Sequence, residues 1–281
     1  MPIKTAVRII TLSLSLLAAS VAYSHDIWLF PERFTLSKGD ILIVRQLAGS
    51  ELDIEVELAL LRRMTPRFEL ITPSGSVDLL SKLPDERTRP EIKPVLERKL
   101  DFDGLALLTM EHAFVHTEFS SEKFLEYLQH EEFRMEKFQD RIGRRLKERE
   151  RYARTIKCLV GVGKVTEGDL HRRIVGQKLE ILLLQNPYLL NPGDYLEVQV
   201  LFDAEPLPDQ LVTAFHGDGE RLVSTSKART NADGIARFNL DRGGFWLIRL
   251  VHLLPCSEGS NADCDYVDWE SYWASYSFEL D

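Results

Sequence analysis

The chain lacks the short motifs that mark the common enzyme and zinc-site classes. It contains no His-Glu-x-x-His, no matched pair of Cys-x-x-Cys motifs, no Gly-x-Ser-x-Gly elbow, no phosphate-binding loop and no dinucleotide-binding fingerprint. Each of these motifs places a nucleophile, a metal ligand or a phosphate cradle at a fixed spacing, so their absence removes the classes they define. We therefore predict that the protein is not an enzyme.

Long apolar runs are also scarce, and the one that is present lies at the start of the chain. Lys4 and Arg8 precede an apolar stretch over 9–21, and small residues follow it, which is typical of a secretory signal peptide over 1–24. Cleavage after Ser24 and cleavage after Ala22 satisfy the small-residue rule equally well. No other run approaches the ~20 apolar residues that span a bilayer. We expect an exported protein, periplasmic or secreted, whose mature chain has no transmembrane segment.

Positive charge is in deficit, with a formal net charge of −9. An acidic protein is repelled by nucleic-acid phosphates, so we exclude nucleic acid as a partner. The same balance is compatible with a protein that handles cations, and also with an exported protein that is acidic for solubility alone.

Only three cysteines are present. Cys256 and Cys264 bracket a short polar stretch, and an exported protein is in an oxidising compartment, so we predict a disulfide between them. Cys158 lies in an apolar stretch and is predicted to be a buried free thiol.

Strand patterns with regular turns occur in two parts of the chain. Residues 25–118 are predicted to form an N-terminal β domain, and 175–281 a C-terminal β-sandwich with turn signals about every ten residues. The fold class is therefore mainly β, with two β-sandwich domains of immunoglobulin or transthyretin type. Residues 119–165 are predicted to be a helical segment between them.

The helical prediction rests on a capping signal and on the charge pattern. Ser120 is placed as the N-cap, and Phe124 and Leu128 follow at helical spacing. Charges of both signs alternate over 134–154 without proline, which we interpret as i,i+4 pairing on a long solvated helix or helix pair that reaches the apolar patch 156–162.

Several segments resemble those of a known family of exported proteins. They are His25-Asp26-Ile27-Trp28-Leu29, Glu150-Arg151-Tyr152-Ala153-Arg154, Asn186-Pro187-Tyr188, Pro192-Gly193-Asp194, Thr230 to Gly234, Gly244 to His252 and Asp268 to Ser275. Together they look like the NikM-like family, domain of unknown function 4198, and cover nearly all of the mature chain. The resemblance implies a nickel or cobalt uptake component with a membrane metal-uptake system as partner. Family members place this histidine directly after the signal, which favours cleavage after Ser24.

A metal site is the chemical hypothesis that follows. If His25 is the mature N-terminus, its α-amine and imidazole supply two nitrogen ligands, which suit nickel, cobalt or copper. His252 ends an apolar strand and is predicted to point with Trp246, Ile248 and Leu250. Asp268 and Glu270 come shortly afterwards and could complete the site as ligands, or accept the imidazole N–H.

Two alternatives remain open at this level. His252 can be a hydrogen-bonded core histidine, with Trp269 and Trp273 packing between the domains and Glu270 paired with Arg249. The protein as a whole can be a β-sandwich interaction module that binds a protein or a glycan without any metal.

Overall fold

The structure is a computed structural model, and it describes residues 25–83, 91–143, 146–217, 221–257 and 263–281. The predicted signal peptide, 1–24, lies outside the described residues. Strands dominate the described part, which confirms the mainly β fold class. They are β1 (Asp26–Pro31), β2 (Thr35–Leu36), β3 (Ile41–Ser50), β4 (Asp53–Leu58), β5 (Arg67–Thr72), β6 (Gly75–Asp78), β7 (Leu96–Lys99), β8 (Gly104–Ser120), β9 (Lys147–Val162), β10 (Leu179–Leu183), β11 (Tyr195–Phe202), β12 (Glu205–Pro206), β13 (Leu211–Gly217), β14 (Leu222–Arg229), β15 (Ile235–Asn239), β16 (Gly244–Pro255) and β17 (Trp269–Leu280).

These strands form three sheets. The N-terminal sheet has the order β1-β3-β4, with β7 also paired to β3, and the C-terminal sheet has the order β10-β11-β12, with β15 also paired to β11. The central sheet has the order β14-β13-β16-β17-β9-β8-β5-β6, with β2 added to β9. Its pairs are antiparallel except for β17 with β9 and β2 with β9, which are parallel.

Strands β16 and β17 of the central sheet are buried on both faces over most of their length, so they read as nearly continuous apolar runs. Successive residues of β16 face opposite sides of the sheet. Leu247 packs in the core shared with the N-terminal sheet, whereas Ile248 packs in the core shared with the C-terminal sheet. The two smaller sheets therefore cover opposite faces of the central one.

The central sheet also draws strands from both predicted domains. β5 and β8 come from the N-terminal part of the chain, and β13, β16 and β17 from the C-terminal part, with β9 between them. The domain limits at 25–118 and 175–281 remain predictions, but the two parts share one hydrogen-bonded sheet.

The predicted helical segment 119–165 is correct only at its start. Helix α1 (Ser121–His130) begins after the N-cap Ser120, whose side chain accepts a hydrogen bond from the backbone N–H of Lys123. Phe124 and Leu128 are buried and pack against Trp269 and Trp273 in a third core cluster. The helix predicted from the Ser120 cap and the spacing of Phe124 and Leu128 is therefore confirmed.

The prediction of a helix from 134 to 162 is wrong, because 147–162 form strand β9. Glu148 and Glu150 lie on one face of this strand and Arg149 and Arg151 on the other, so the charges alternate with period two. Alternating glutamate and arginine also places opposite charges three residues apart, which allows i,i+3 pairing on a helix. The partner strands on both sides decide between helix and strand.

The predicted disulfide Cys256–Cys264 is present, and Cys158 is a buried free thiol. Among the described helices, none has the length and apolar character needed to cross a membrane.

We expect the Cys256→Ser, Cys264→Ser double variant to lose about 2.5 kcal/mol of the free energy of unfolding, since the short loop is no longer closed in the unfolded chain. Urea denaturation measures the loss. Dithiothreitol should destabilise the wild type by the same amount and leave the double variant unchanged. Equal stability of the oxidised wild type and the double variant would contradict the prediction.

Candidate functional site

His25 lies immediately before β1, at the edge of the N-terminal sheet. Its Nε2 is 3.1 Å from Oε2 of Glu55 on β4, and the two side chains are 31% and 44% exposed. Arg154 of the central sheet donates a hydrogen bond from Nη2 to the carbonyl oxygen of His25 at 3.1 Å. An imidazole and a carboxylate thus meet at a position open to solvent.

The residue after His25 is fixed by a buried ion cluster. Arg249 of β16 donates from Nε to Oδ1 of Asp26 at 2.7 Å and from Nη2 to Oε1 of Glu131 at 3.1 Å. All three side chains are buried. Burial by itself lowers the pKa of Arg249, but the two carboxylates outweigh it and raise the pKa above the ordinary arginine value. The guanidinium is therefore permanently charged and ties β1 to β16 and to the end of α1.

His252 lies in the phase that the sequence predicts. Its ring makes an edge contact with Phe202 of the C-terminal sheet, with the centroids 4.6 Å apart. Nδ1 donates to Oε1 of Gln210 at 3.0 Å. Burial lowers the pKa of His252 to about 4, so the imidazole is neutral near pH 7.

The structure does not bring His25 and His252 together. Arg249 points to Asp26 and the N-terminal sheet, whereas His252, three positions further along β16, points to the C-terminal sheet. The two histidines therefore lie on opposite sides of the central sheet.

Asp268 and Glu270 are both paired with arginines of β9. The side chain of Arg149 binds Asp268 through two hydrogen bonds, Nε to Oδ2 at 2.9 Å and Nη2 to Oδ1 at 3.0 Å, and its backbone N–H donates a third, to Oδ2 at 3.0 Å. Arg151 binds the buried carboxylate of Glu270. The alternative pairing of Glu270 with Arg249 is therefore wrong, because β17 runs parallel to β9 with Glu270 opposite Arg151.

No group of three or more His, Cys, Asp and Glu side chains suited to a metal ion occurs in the described part of the chain. Any metal site here would need a further donor besides His25 and Glu55. The α-amine of His25 is such a donor if cleavage follows Ser24.

A groove opens between β8, β9 and the C-terminal sheet, on the side that Glu270 faces. Its volume is about 620 Å³. Three aromatic rings line it, those of Phe114, Phe202 and Tyr272. Phe114 and Tyr272 meet edge to face at 5.7 Å, and Tyr272 and Phe202 meet in the same way at 5.2 Å. The rings thus form a continuous aromatic row.

Charged side chains stand beside these rings in pairs. The guanidinium of Arg151, which binds Glu270, lies 4.2 Å from the centroid of Phe114. Nζ of Lys178, which pairs with Asp203, lies 5.0 Å from the centroid of Phe202. Charged pairs therefore lie beside the aromatic rings along the groove.

Sequence reasoning found neither Glu55 nor the aromatic row. Glu55 belongs to the alternating strand β4 and carries no motif. Phe114 is placed by a bulge in β8, which depends on pairing with β9 and gives no local signal.

Comparison with known proteins gives a family but no established activity. A family model described as a domain of unknown function (DUF4198) matches residues 22–253. No curated protein matches the chain.

Solved structures share only distant similarity. Escherichia coli alpha-2-macroglobulin activated by porcine elastase is 11% identical with a TM-score of 0.21, over 92% of this chain and 20% of that chain. The D0-D1 domain of intimin is 11% identical with a TM-score of 0.21, over 90% of this chain and 97% of that chain. A DUF3823 family protein from Bacteroides uniformis is 9% identical with a TM-score of 0.25, over 91% and 98%. The chain spans about a fifth of the macroglobulin chain, and similarities this low carry no functional argument.

The family description names no ligand, so the nickel or cobalt association that the resemblance implied stays a prediction. Since the family model spans residues 22–253, most of the 281-residue sequence, the chain belongs to the DUF4198 family.

Proposed function

We propose that the protein binds a transition metal ion, nickel, cobalt or copper, at His25 after export and cleavage behind Ser24. The observation that supports this proposal is the approach of His25 Nε2 to within 3.1 Å of the Glu55 carboxylate. The α-amine and Nδ1 of His25 can chelate one ion, while the Glu55 carboxylate accepts the Nε2–H and orients the ring. The site then offers two nitrogen donors at one solvent-accessible point. Such a donor set suits borderline divalent ions.

Anchoring of the neighbouring backbone favours this site over a free, mobile N-terminus. Arg154 holds the carbonyl oxygen of His25, and Arg249 holds the side chain of Asp26. A ligand set that is positioned before the ion arrives loses less conformational entropy on binding. The proposed ligand set does not include the other three predicted ligands, His252, Asp268 and Glu270.

The proposal extends to delivery of the ion to a membrane metal-uptake system. An exported acidic protein with an exposed site can take up a cation and hand it to a partner without crossing the membrane itself. Only the exposure of His25 and Glu55 supports this step.

Titration of the mature protein with Cu²⁺ and Ni²⁺ by isothermal calorimetry tests the site. We expect His25→Ala to weaken binding by about 100-fold or more and Glu55→Gln by about tenfold. A form that retains Tyr23 and Ser24 should also bind weakly, because its α-amine no longer belongs to His25. His116→Ala, at an exposed histidine of β8, is the matched control and should bind like the wild type. Unchanged affinity in His25→Ala would overturn the proposal.

A second candidate function is a non-catalytic interaction module that binds its partner in the aromatic groove. The groove favours it, since a cavity of about 620 Å³ lined by aromatic rings and a few oriented polar groups has the size and chemistry of a ligand site.

A further inference from the structure

We propose that the aromatic groove is a binding site for a neutral oligosaccharide, with Phe114 as the ring on which a sugar stacks. The inference rests on the second candidate function, the interaction module, and is independent of metal binding at His25. Its basis is the way in which the fold exposes Phe114 and balances the charges around it.

A β-bulge presents Phe114 to solvent. Along β8 and β9 the register pairs His112 with Arg154 and then Val115 with Tyr152, so Ala113 and Phe114 together oppose Ala153. The extra residue turns its neighbour out of the regular alternation, and bulges of this kind commonly re-aim a side chain at a functional site.

Phe114 is the most exposed of the described phenylalanines. It is the only one of them in the exposed class, with 37% of the residue accessible to solvent. The ring is also held in place, since it touches Tyr272 at its edge and the Arg151 guanidinium over its face. A large apolar ring kept rigid and exposed has the properties of a stacking surface.

Charge balance in the groove argues for an uncharged ligand. The described residues that line the groove supply three cations, those of Arg151, Arg154 and Lys178, and three carboxylates, those of Glu111, Asp203 and Glu270. Within this set Arg151 pairs with Glu270 and Lys178 with Asp203. His112, which also lines the groove, accepts a hydrogen bond at Nε2 from the side-chain amide of Gln46 at 2.8 Å, and burial lowers its pKa to about 4. A free anion would have to break these pairs.

A sugar fits this arrangement of groups. Its hydroxyls both donate and accept hydrogen bonds, so they can use carboxylate and guanidinium groups that remain paired with each other. Its C–H face is apolar and packs on an aromatic ring. The groove also continues from Phe114 past Tyr272 to Phe202, and a row of rings suits a chain of sugars better than a single one.

The test uses the mature protein treated with EDTA, so that metal binding makes no contribution. Maltohexaose, cellohexaose and the hexamer of N-acetylglucosamine are titrated by isothermal calorimetry, with tetragalacturonate as an anionic probe and an acidic peptide as a protein-like probe. We expect at least one neutral hexasaccharide to bind with a Kd below about 1 mM, a common range for weak specific binding. Tetragalacturonate and the peptide should bind more weakly.

Variants locate the binding. Phe114→Ala should weaken saccharide binding by about tenfold or more, whereas Phe114→Trp should retain it. Tyr195→Ala removes another exposed aromatic, on β11 outside the groove, and should have no effect. His25→Ala should also leave the saccharide affinity unchanged. The metal-binding proposal and the saccharide-binding proposal are therefore tested independently of each other. Absence of binding to all three neutral hexasaccharides, tighter binding of an anionic probe, or full affinity in Phe114→Ala would each overturn the proposal.

Discussion

Replacement of Arg249 by Ala should lower the free energy of unfolding by roughly 3–5 kcal/mol, which makes it one of the most damaging single changes we expect in this protein. The variant leaves the carboxylates of Asp26 and Glu131 buried without the cation that both contact. Removing one member of a buried ion cluster leaves an uncompensated charge in a medium of low dielectric constant. Urea denaturation at pH 7 measures the change.

A matched control separates this effect from the general loss of an arginine. Arg242 pairs with Asp241 at the surface, where both side chains are about half exposed, and Arg242→Ala should lose less than about 1 kcal/mol. Adding Asp26→Asn and Glu131→Gln to Arg249→Ala should recover part of the loss, because no buried anion then remains. A similar small effect for Arg249→Ala and Arg242→Ala would contradict the prediction.

Replacement of Glu150 by Gln should stabilise the protein above neutral pH by up to about 3 kcal/mol. Glu150 is buried, and burial raises its pKa to about 7 despite the hydrogen bond that Ser271 donates to it and the nearby charge of Arg154. In the unfolded chain its pKa is near the ordinary glutamate value of 4.5. Folding therefore takes up a proton between these two values, and the contribution of Glu150 to stability falls as the pH rises from about 4.5 to about 7.

Glutamine resembles the protonated carboxyl in size and carries no charge. The variant should match the wild type at pH 4.5 and exceed it increasingly up to about pH 7, as urea denaturation at a series of pH values would show. Only the difference between the two proteins isolates Glu150, since burial lowers the pKa of His112 and His252 to about 4 and their contributions rise with pH. Glu126→Gln, on the exposed face of α1, should change stability by less than about 0.5 kcal/mol at every pH. A pH-independent difference for Glu150→Gln would refute the assignment.

Local signals in the sequence predicted the features that depend on neighbouring residues. The polar loop between Cys256 and Cys264 allowed their disulfide, and the apolar surroundings of Cys158 predicted its burial. Ser120 capped the helix as expected. The period of two along β16 placed His252 on the correct face. All of these features depend mainly on residues that are close together in the sequence.

Features that depend on distant partners were not accessible in this way. Strand β9 looked helical because its alternating charges also allow pairing between residues three apart on a helix, and only its position between β8 and β17 selects the strand. Glu55, Arg249 and Phe114 acquire their roles from contacts across sheets or from a bulge. The carboxylates of Asp268 and Glu270 were predicted to be metal ligands, but the parallel pairing of β17 with β9 places arginines next to them.

Local sequence patterns are enough to establish a mainly β chain with one disulfide, a capped helix and a histidine just before its first strand. Periodicity, capping and loop closure are local properties, so composition and spacing carry them. The tertiary structure alone decided that His25 meets Glu55 rather than His252, and that Phe114, Tyr272 and Phe202 line one groove. The central sheet contains strands from both ends of the chain, so its strand order decides which distant residues meet. That order depends on long-range pairing and cannot be read from a local sequence pattern.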